Sequence, residues 1–210
     1  MMEHSYWDRV AEEKTFTHVL PEEWLVSMRP DMRILDYGCG YGRMLRVLAD
    51  RGCRNSIGYD SSRRMIDRAT RENPDLSFRH LLQLPLPEPD SSFDLILLLA
   101  VLTCMPDDAS HEMLIEELSR VLRPGGRLLL SDAPLQTDER NLRRYAEALP
   151  VVGTNGVFRT EDGATLRHYE PERIFTLLAG LIIEETRWAT LTTMNGHPTI
   201  VLQISAQKPQ

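Results

Sequence analysis

The chain has 210 residues, 42% hydrophobic and 26% charged, with a formal net charge of −7, which is typical of one globular domain. The charge disfavours nucleic-acid binding, because a positive face is needed to neutralise phosphates. No apolar run approaches the roughly 18 residues that span a bilayer, and the start of the chain lacks a signal-peptide core. The three cysteines show no C-x-x-C pair. We therefore expect a single cytoplasmic domain, residues 1–210, with no membrane, nucleic-acid or metal partner.

Two helices are predicted at the start of the chain, over residues 5–14 and 20–28. The second has Pro21 near its first turn, followed by two glutamates, which is typical of a helix start. Residues 34–45, ILDYGCGYGRML, then change from an apolar run to three alternate glycines and an amphipathic pattern. This pattern predicts a strand, a tight turn and a helix, the first unit of a nucleotide-type α/β fold.

The glycine spacing restricts the ligand. A dinucleotide fingerprint has glycine at the sixth position, which here is Arg43, and Asp36 beside the turn would repel a pyrophosphate. S-adenosylmethionine (SAM) carries a sulfonium and an ammonium and has no phosphate. The run LDYGCGYGR resembles the glycine-rich loop of class I SAM-dependent methyltransferases. This resemblance implies SAM as cofactor and S-adenosylhomocysteine as product, with contacts from Asp36, Gly38, Cys39, Gly40 and Arg43. An ordinary strand–helix turn is the alternative interpretation.

A second predicted strand, residues 55–59, ends at Asp60, twenty positions beyond Gly40. An acidic residue there is placed to accept both hydroxyls of a ribose, although Asp60 equally suits the N-cap of a helix that starts at residue 61 or 62. The predicted cofactor contacts include Ser61. Met65, one turn into that helix, either covers an adenine face or belongs to the core.

A third strand is predicted over residues 76–80, and LPLPEPDSSFDLI after it resembles a second signature of the same superfamily. In that family an acidic residue four positions before the Leu-Pro pair holds the adenine amino group. Here that position is His80, so the resemblance implies a contact from His80 or from the backbone N–H of Leu81. A surface histidine at a strand end is the alternative.

Residues 93–100 form a nearly unbroken apolar run, which predicts a central parallel strand. The end of such a strand lies at the edge where ligands bind in open α/β sheets. Ala100 and Leu102 resemble positions that contact the methionine part of SAM, and Thr103 and Cys104 would face the transferred methyl group. Cys104 is not expected to act as a nucleophile, because no histidine pairs with it locally.

A long helix is predicted over residues 109–122, ended by the sequence RPGG, with a fifth strand over residues 127–131. LSRVLRPGGRLLLSD resembles the helix–turn–strand unit of the same family. In this superfamily the insertion after the fifth strand shapes the acceptor pocket, which here is residues 133–170, with a helix near 138–149 and a hairpin within 154–165. Arg159 and Tyr169 are its candidate substrate contacts, and His168 is the first candidate base. The resemblance also makes residues 1–30 a helical flap, with Tyr6 over the ligand or simply packed on the sheet.

The last predicted elements are a helix over residues 171–178 and strands over 181–188 and 199–206. Asn195-Gly196 is a strong hairpin signal, so these strands should be antiparallel. The expected fold is α/β, a Rossmann-like doubly wound sheet of seven strands, mostly parallel with a C-terminal antiparallel hairpin. His197 in the last turn is the second candidate base.

The resemblance implies a SAM-dependent methyltransferase that acts by in-line displacement on a small-molecule N, O or S acceptor, as a monomer or homodimer. The modest insertion leaves little room to grip a macromolecule. Oxygen or protonated nitrogen acceptors need a base, whereas a thiolate or neutral amine needs none. A non-catalytic SAM-binding regulatory or partner protein is the alternative. An NAD-dependent oxidoreductase is disfavoured by the missing sixth-position glycine.

Overall fold

Apolar runs of the sequence form the strands and amphipathic runs form the helices. The computed structural model describes residues 4–210. In that range the α-helices are α1 (His4–Val10), α2 (Glu22–Val26), α3 (Arg43–Asp50), α4 (Arg63–Glu72), α5 (Asp108–Val121), α6 (Glu139–Val152) and α7 (Pro171–Leu177). The strands are β1 (Ile34–Tyr37), β2 (Ser56–Asp60), β3 (Ser77–His80), β4 (Phe93–Leu99), β5 (Leu122–Asp132), β6 (Val157–Arg159), β7 (Thr165–Arg167), β8 (Ile182–Thr192) and β9 (Pro198–Gln207).

Seven strands form the main sheet in the order β3-β2-β1-β4-β5-β9-β8. The first five are parallel, and β9 is antiparallel to both β5 and β8. This arrangement confirms the doubly wound sheet and its antiparallel C-terminal pair. The strand order reverses between β1 and β4, and ligands of open α/β sheets bind in the crevice at such a point, outside the carboxyl ends of the strands.

The core lies on both faces of this sheet, as the alternate side chains of β4 show. Leu95 and Leu97 pack with Leu45 and Leu48 of α3, whereas Ile96 and Leu98 belong to the cluster around α5 and α7. This alternation is the period of two that strand side chains follow. Among residues 4–210, no helix combines the length and the apolar character that crossing a membrane requires.

Several predicted boundaries differ from the structure. The first two helices are shorter than predicted, ending at Val10 and Val26. The N-cap of α4 is Ser62, whose Oγ accepts from the Met65 amide, so the N-cap interpretation of Asp60 is wrong. The RPGG sequence, residues 123–126, is predicted to be a turn between helix and strand, but it lies within β5. The amide of Gly125 donates to the carbonyl of Lys208, just beyond β9.

Candidate functional site

A cavity lies at the carboxyl ends of β1 and β4, with about 1140 Å³ of empty space when the open solvent at its mouth is included. Residues close in sequence form one side, named here the glycine-turn wall: Asp36, Gly38, Cys39, Arg43, Asp60, Ser61 and Met65. Distant segments form the other side, named here the strap wall: Trp7, Phe16, Thr17, His18, Leu166, His168, Thr193 and Met194. Ala100, Thr103 and Cys104, at the end of β4, complete the floor between them.

The glycine turn needs glycine for space and for backbone conformation. Gly38 has φ +75° and Gly40 has φ +54°, in the left-handed region that side chains disfavour. A Cβ on Gly38 would lie 2.5 Å from Cγ2 of Val101, and one on Gly40 would lie 1.9 Å from the ring of Phe16. The backbone of Gly38 therefore lines the cavity without a side chain, and the ring of Phe16 packs directly on Gly40.

Asp36 is a buried carboxylate that lines the cavity with only 3% of its surface exposed. No donor within residues 4–210 makes a hydrogen bond to it. Burial raises its pKa to about 7, against the opposing charge of Arg43. A buried charge without a hydrogen bond is costly, so a cationic ligand would stabilise this site.

Asp60 is held by two backbone amides. Its Oδ2 accepts from Gly40 N and its Oδ1 from Ser62 N, both at 2.8 Å. Burial raises its pKa, which these two bonds oppose. A carboxylate has about four lone-pair sites, so it retains acceptor capacity for a pair of hydroxyls.

Four residues predicted to bind the cofactor do not line the cavity. Gly40 lies against the ring of Phe16, which a Cβ on it would meet at 1.9 Å. Nε2 of His80 lies 3.0 Å from the carbonyl oxygen of Ser61, so its ring contacts backbone instead. The amide of Leu81 already donates to the carbonyl of Asp60, which leaves no N–H for a ligand. Leu102 is fully buried in the core around α5.

Four predicted acceptor-side residues also lie outside the cavity. Tyr6 is buried with its hydroxyl bonded to Asp162, and Tyr169 packs edge-on against the ring of His111. Arg159 is exposed on β6. His197 is exposed in the β8–β9 turn, although its neighbours Thr193 and Met194 do reach the cavity.

Thr103 and Cys104 line the cavity beside Ala100, which has φ +55°. Such a φ is uncommon outside glycine and marks a strained position, which is often functional. Burial raises the pKa of the Cys104 thiol, and its Sγ bonds to the carbonyl of Ala100. A buried thiol of raised pKa is a poor nucleophile.

The strap wall begins with the N-terminal strap, defined as residues 5–19. Asp8 accepts from Ser62 Oγ and the Arg64 amide at the start of α4. At the far side of the cavity, Asp162 accepts from Tyr6 at 2.9 Å and pairs with Lys14 at 2.5 Å. The strap therefore crosses the cavity between α4 and the β6–β7 hairpin.

His18 and His168 are the two histidines that line the cavity. Burial lowers the pKa of each to about 4, helped by Arg43 at His18 and by Arg144 and Arg140 at His168. Both rings are therefore neutral at pH 7. The sequence prediction included His168 but missed His18, which has no motif around it and is brought to the cavity only by the path of the strap.

The comparisons with known proteins agree with this geometry. A family model described as a methyltransferase domain matches residues 35–130. The 27-O-demethylrifamycin SV methyltransferase of Amycolatopsis mediterranei is 33% identical over 161 residues, 72% of this chain and 58% of that protein. The ribosomal protein L11 methyltransferase of Ralstonia nicotianae is 32% identical over 148 residues, 70% of this chain and 46% of that protein.

A SAM-dependent methyltransferase of Methanosarcina mazei has the same fold with a TM-score of 0.86 and 26% identity, over 91% of this chain and 99% of that one. The chain spans about half the length of the curated relatives that it matches. The glycine turn, the order of the seven strands and these matches together identify the chain as a member of the class I SAM-dependent methyltransferase superfamily.

Proposed function

We propose that the protein transfers a methyl group from SAM to a small-molecule acceptor. The observation that carries the proposal is Asp36, a buried carboxylate without a hydrogen bond beside a glycine turn. A donor with a sulfonium and an ammonium supplies a cation that can contact this carboxylate directly. Asp60 has acceptor capacity left for a ribose, and Met65 lines the cavity next to Ser61.

When bound, SAM supplies an electrophilic methyl group on a positively charged sulfur. The chain's own residues have three tasks. The glycine-turn wall binds and orients the donor, and the floor at Thr103 and Cys104 limits the space in front of it. The strap and its aromatic side chains, Trp7 and Phe16, exclude water, so that the acceptor meets the methyl group at near-attack distance.

The small size of the acceptor is supported by the way the strap crosses the cavity. Lys14 contacts both Asp162 and Asn195, which connects the strap to the β6–β7 hairpin and to the β8–β9 turn. Residues 133–170 contribute Ala133, Leu166 and His168 to the same space, in keeping with a role in acceptor choice. A protein loop would need an open groove there, whereas a small molecule fits beneath the strap.

Two measurements test this function. Calorimetry should show binding of SAM and none of NAD, and NAD binding instead of SAM would contradict the donor assignment. SAM with a radiolabelled methyl group, incubated with fractionated small metabolites, should then label a product. Tight SAM binding without any labelled product would favour the alternative, a SAM-binding regulatory or partner protein.

A further inference from the structure

His168 is held rigidly where it lines the cavity. Its amide donates to the carbonyl of Gly156 at 2.9 Å, and a Cβ on Gly156 would lie 1.9 Å from the carbonyl oxygen of His168. Its ring packs edge-on against the rings of Phe158 and Tyr145, whose centroids are 4.9 Å and 6.0 Å away. Backbone and ring are therefore both fixed before a ligand enters, and such preorganisation favours specific recognition.

The hydroxyl of Tyr145 determines which ring nitrogen of His168 carries the proton. The Tyr145 oxygen accepts from the amide of Gln136 at 3.1 Å and lies 2.7 Å from Nδ1 of His168. Burial raises the pKa of Tyr145 to about 12, so the hydroxyl keeps its proton at pH 7. Within residues 4–210, Nδ1 is the one acceptor that this hydroxyl reaches, so the hydroxyl donates to it. A neutral imidazole that accepts at Nδ1 carries its proton on Nε2.

Nε2–H of His168 is a donor without a partner on the acceptor side of the cavity. Nδ1 is turned towards Tyr145, so Nε2 points away from it, and no group in the described part of the chain bonds to Nε2. Burial and the charges of Arg144 and Arg140 lower the pKa of the ring to about 4, so the ring is neutral at pH 7. Since its lone pair is on the other nitrogen, the ring offers a ligand a hydrogen bond and cannot take a proton from it.

The charges around His168 favour an oxygen over an ammonium group at this place. The guanidinium of Arg144 lies 5.1 Å from the centroid of the Phe158 ring, which itself packs against His168. Arg140 adds a second positive charge, and Asp138 supplies one negative charge. The local excess of positive charge repels a cation and attracts the negative end of a carbon–oxygen dipole.

We propose that His168 is a specificity-determining residue whose Nε2–H donates to an uncharged oxygen of the methyl acceptor, and that the acceptor is an aromatic molecule carrying a carbonyl or ether oxygen. The strap wall supplies the apolar surface for the aromatic ring, from Trp7, Phe16 and Leu166. This inference rests on the methyl-transfer function proposed above. It replaces the role of base that the sequence predicts for His168, because a base needs a lone pair on the nitrogen that meets the substrate.

The proton of His168 can be located without knowing the acceptor. Long-range ¹H–¹⁵N spectra of the protein loaded with S-adenosylhomocysteine should show it on Nε2, and His168→Gln identifies the signals. Tyr145→Phe removes the donor to Nδ1, so the Nδ1 resonance should move towards that of an unbonded lone pair. Tyr37→Phe, at a buried tyrosine that does not line the cavity, is the matched control and should leave the His168 signals unchanged.

Two results of these spectra would overturn the proposal. A wild-type proton on Nδ1 would leave the Nε2 lone pair free and would favour the role of base instead. An Nδ1 resonance that is the same in Tyr145→Phe and in wild type would show that Tyr145 does not position the ring.

A matched pair of probes tests the contact itself. Acetophenone and α-methylstyrene have nearly the same shape, but only acetophenone has an oxygen that accepts a hydrogen bond. In the wild-type protein loaded with S-adenosylhomocysteine, acetophenone should shift the Nε2–H signal of His168. It should also bind about twofold to tenfold more tightly than α-methylstyrene, the effect of one neutral hydrogen bond. His168→Phe keeps an aromatic ring without the donor and should bind the two probes equally.

The outcomes separate this proposal from the function on which it rests. Equal binding of the two probes by the wild type, no binding of either, or a preference that persists in His168→Phe would overturn the proposal while S-adenosylhomocysteine still binds. A wild-type protein that binds neither SAM nor S-adenosylhomocysteine in calorimetry would instead refute the proposed function.

Discussion

The two walls of the cavity are built in different ways. The glycine-turn wall comes from one continuous stretch, Asp36–Met65, in which each strand is followed at once by its turn and helix. The strap wall joins residues 7–18 to residues 166–194, and it depends on contacts such as Tyr6 with Asp162 across the whole chain. The first wall is therefore local and the second is assembled only when the fold is complete. We expect changes in the first to affect the donor and changes in the second to affect the acceptor and the strap.

The largest expected effect is the loss of donor binding in Gly38→Val. The new side chain would meet Val101 and would force a valine into a left-handed φ. Backbone strain of about 1–3 kcal/mol and overpacking of about 1–3 kcal/mol act together at this turn. Calorimetry with SAM measures the effect. Gly180→Val is the matched control, because a Cβ there has no atom within 4 Å, and normal SAM binding by Gly38→Val would refute the role of the turn.

Asp36→Asn should weaken SAM binding by about 1.5–3 kcal/mol, because a charge-assisted contact is lost. The same variant should stabilise the ligand-free protein above pH 7. The folded pKa of Asp36 is raised to about 7, so the folded chain holds a proton that the unfolded chain releases near pH 4. Its stability therefore falls as the pH rises through this window, by up to about 1.4 kcal/mol per pH unit.

Thermal melts of wild type and Asp36→Asn at pH 4 and pH 8 separate the two effects. The variant should match wild type at pH 4 and exceed it at pH 8. Asp67→Asn, at an exposed carboxylate on α4, is the matched control and should change neither SAM affinity nor the melts appreciably. A variant less stable than wild type at pH 8 would contradict the assigned burial cost.

Asp60→Ala should weaken SAM binding by about 1–3 kcal/mol, since the carboxylate both accepts from a ribose and holds the amides of Gly40 and Ser62. Asp60→Asn retains one acceptor oxygen and should lose less. Unchanged affinity of Asp60→Ala in calorimetry would remove Asp60 from the donor site.

The sequence predicts the glycine-turn wall well because its signals are local. Gly38, Asp60 and Met65 follow strand ends that apolar runs mark, and all three line the cavity, although their contacts with SAM stay predictions. His80 and Leu81 show the limit of this reasoning. The carbonyl oxygen of Ser61 already contacts the His80 ring, and that of Asp60 already accepts from the Leu81 amide.

The strap wall shows the larger limit. His18 lies in a stretch without a motif, and its place depends on Asp8 and Lys14 holding the strap at two ends. The predictions of His197 and Tyr169 rest on residue type and position alone, but a shift of one residue along the chain decides whether a side chain faces the cavity or points away from it. Periodicity and motif spacing contain no information on such long-range packing.

The smallest expected effect tests the strap itself. Asp162→Ala removes the acceptor for Tyr6 and the partner of Lys14 at a half-exposed site, so the strap should open more readily by about 1 kcal/mol. Hydrogen exchange of the amides in residues 5–19 should become several-fold faster. SAM affinity should change far less than in Asp36→Asn. Glu161→Ala, at the exposed neighbouring acid, should leave the exchange unchanged.

The pKa of Asp162 predicts how the effect of Asp162→Ala on strap exchange changes with pH. Burial alone would raise the pKa of Asp162, but hydrogen bonds from Lys14, Thr160 and Tyr6 outweigh it and hold the pKa below its usual range. Its stabilising contribution is therefore present above about pH 4, the ordinary pKa of an aspartate, and is lost as the pH falls below that value. The difference in strap exchange between wild type and Asp162→Ala should shrink in acid. An undiminished difference at low pH, or equal exchange at pH 7, would mean that Asp162 does not hold the strap wall together.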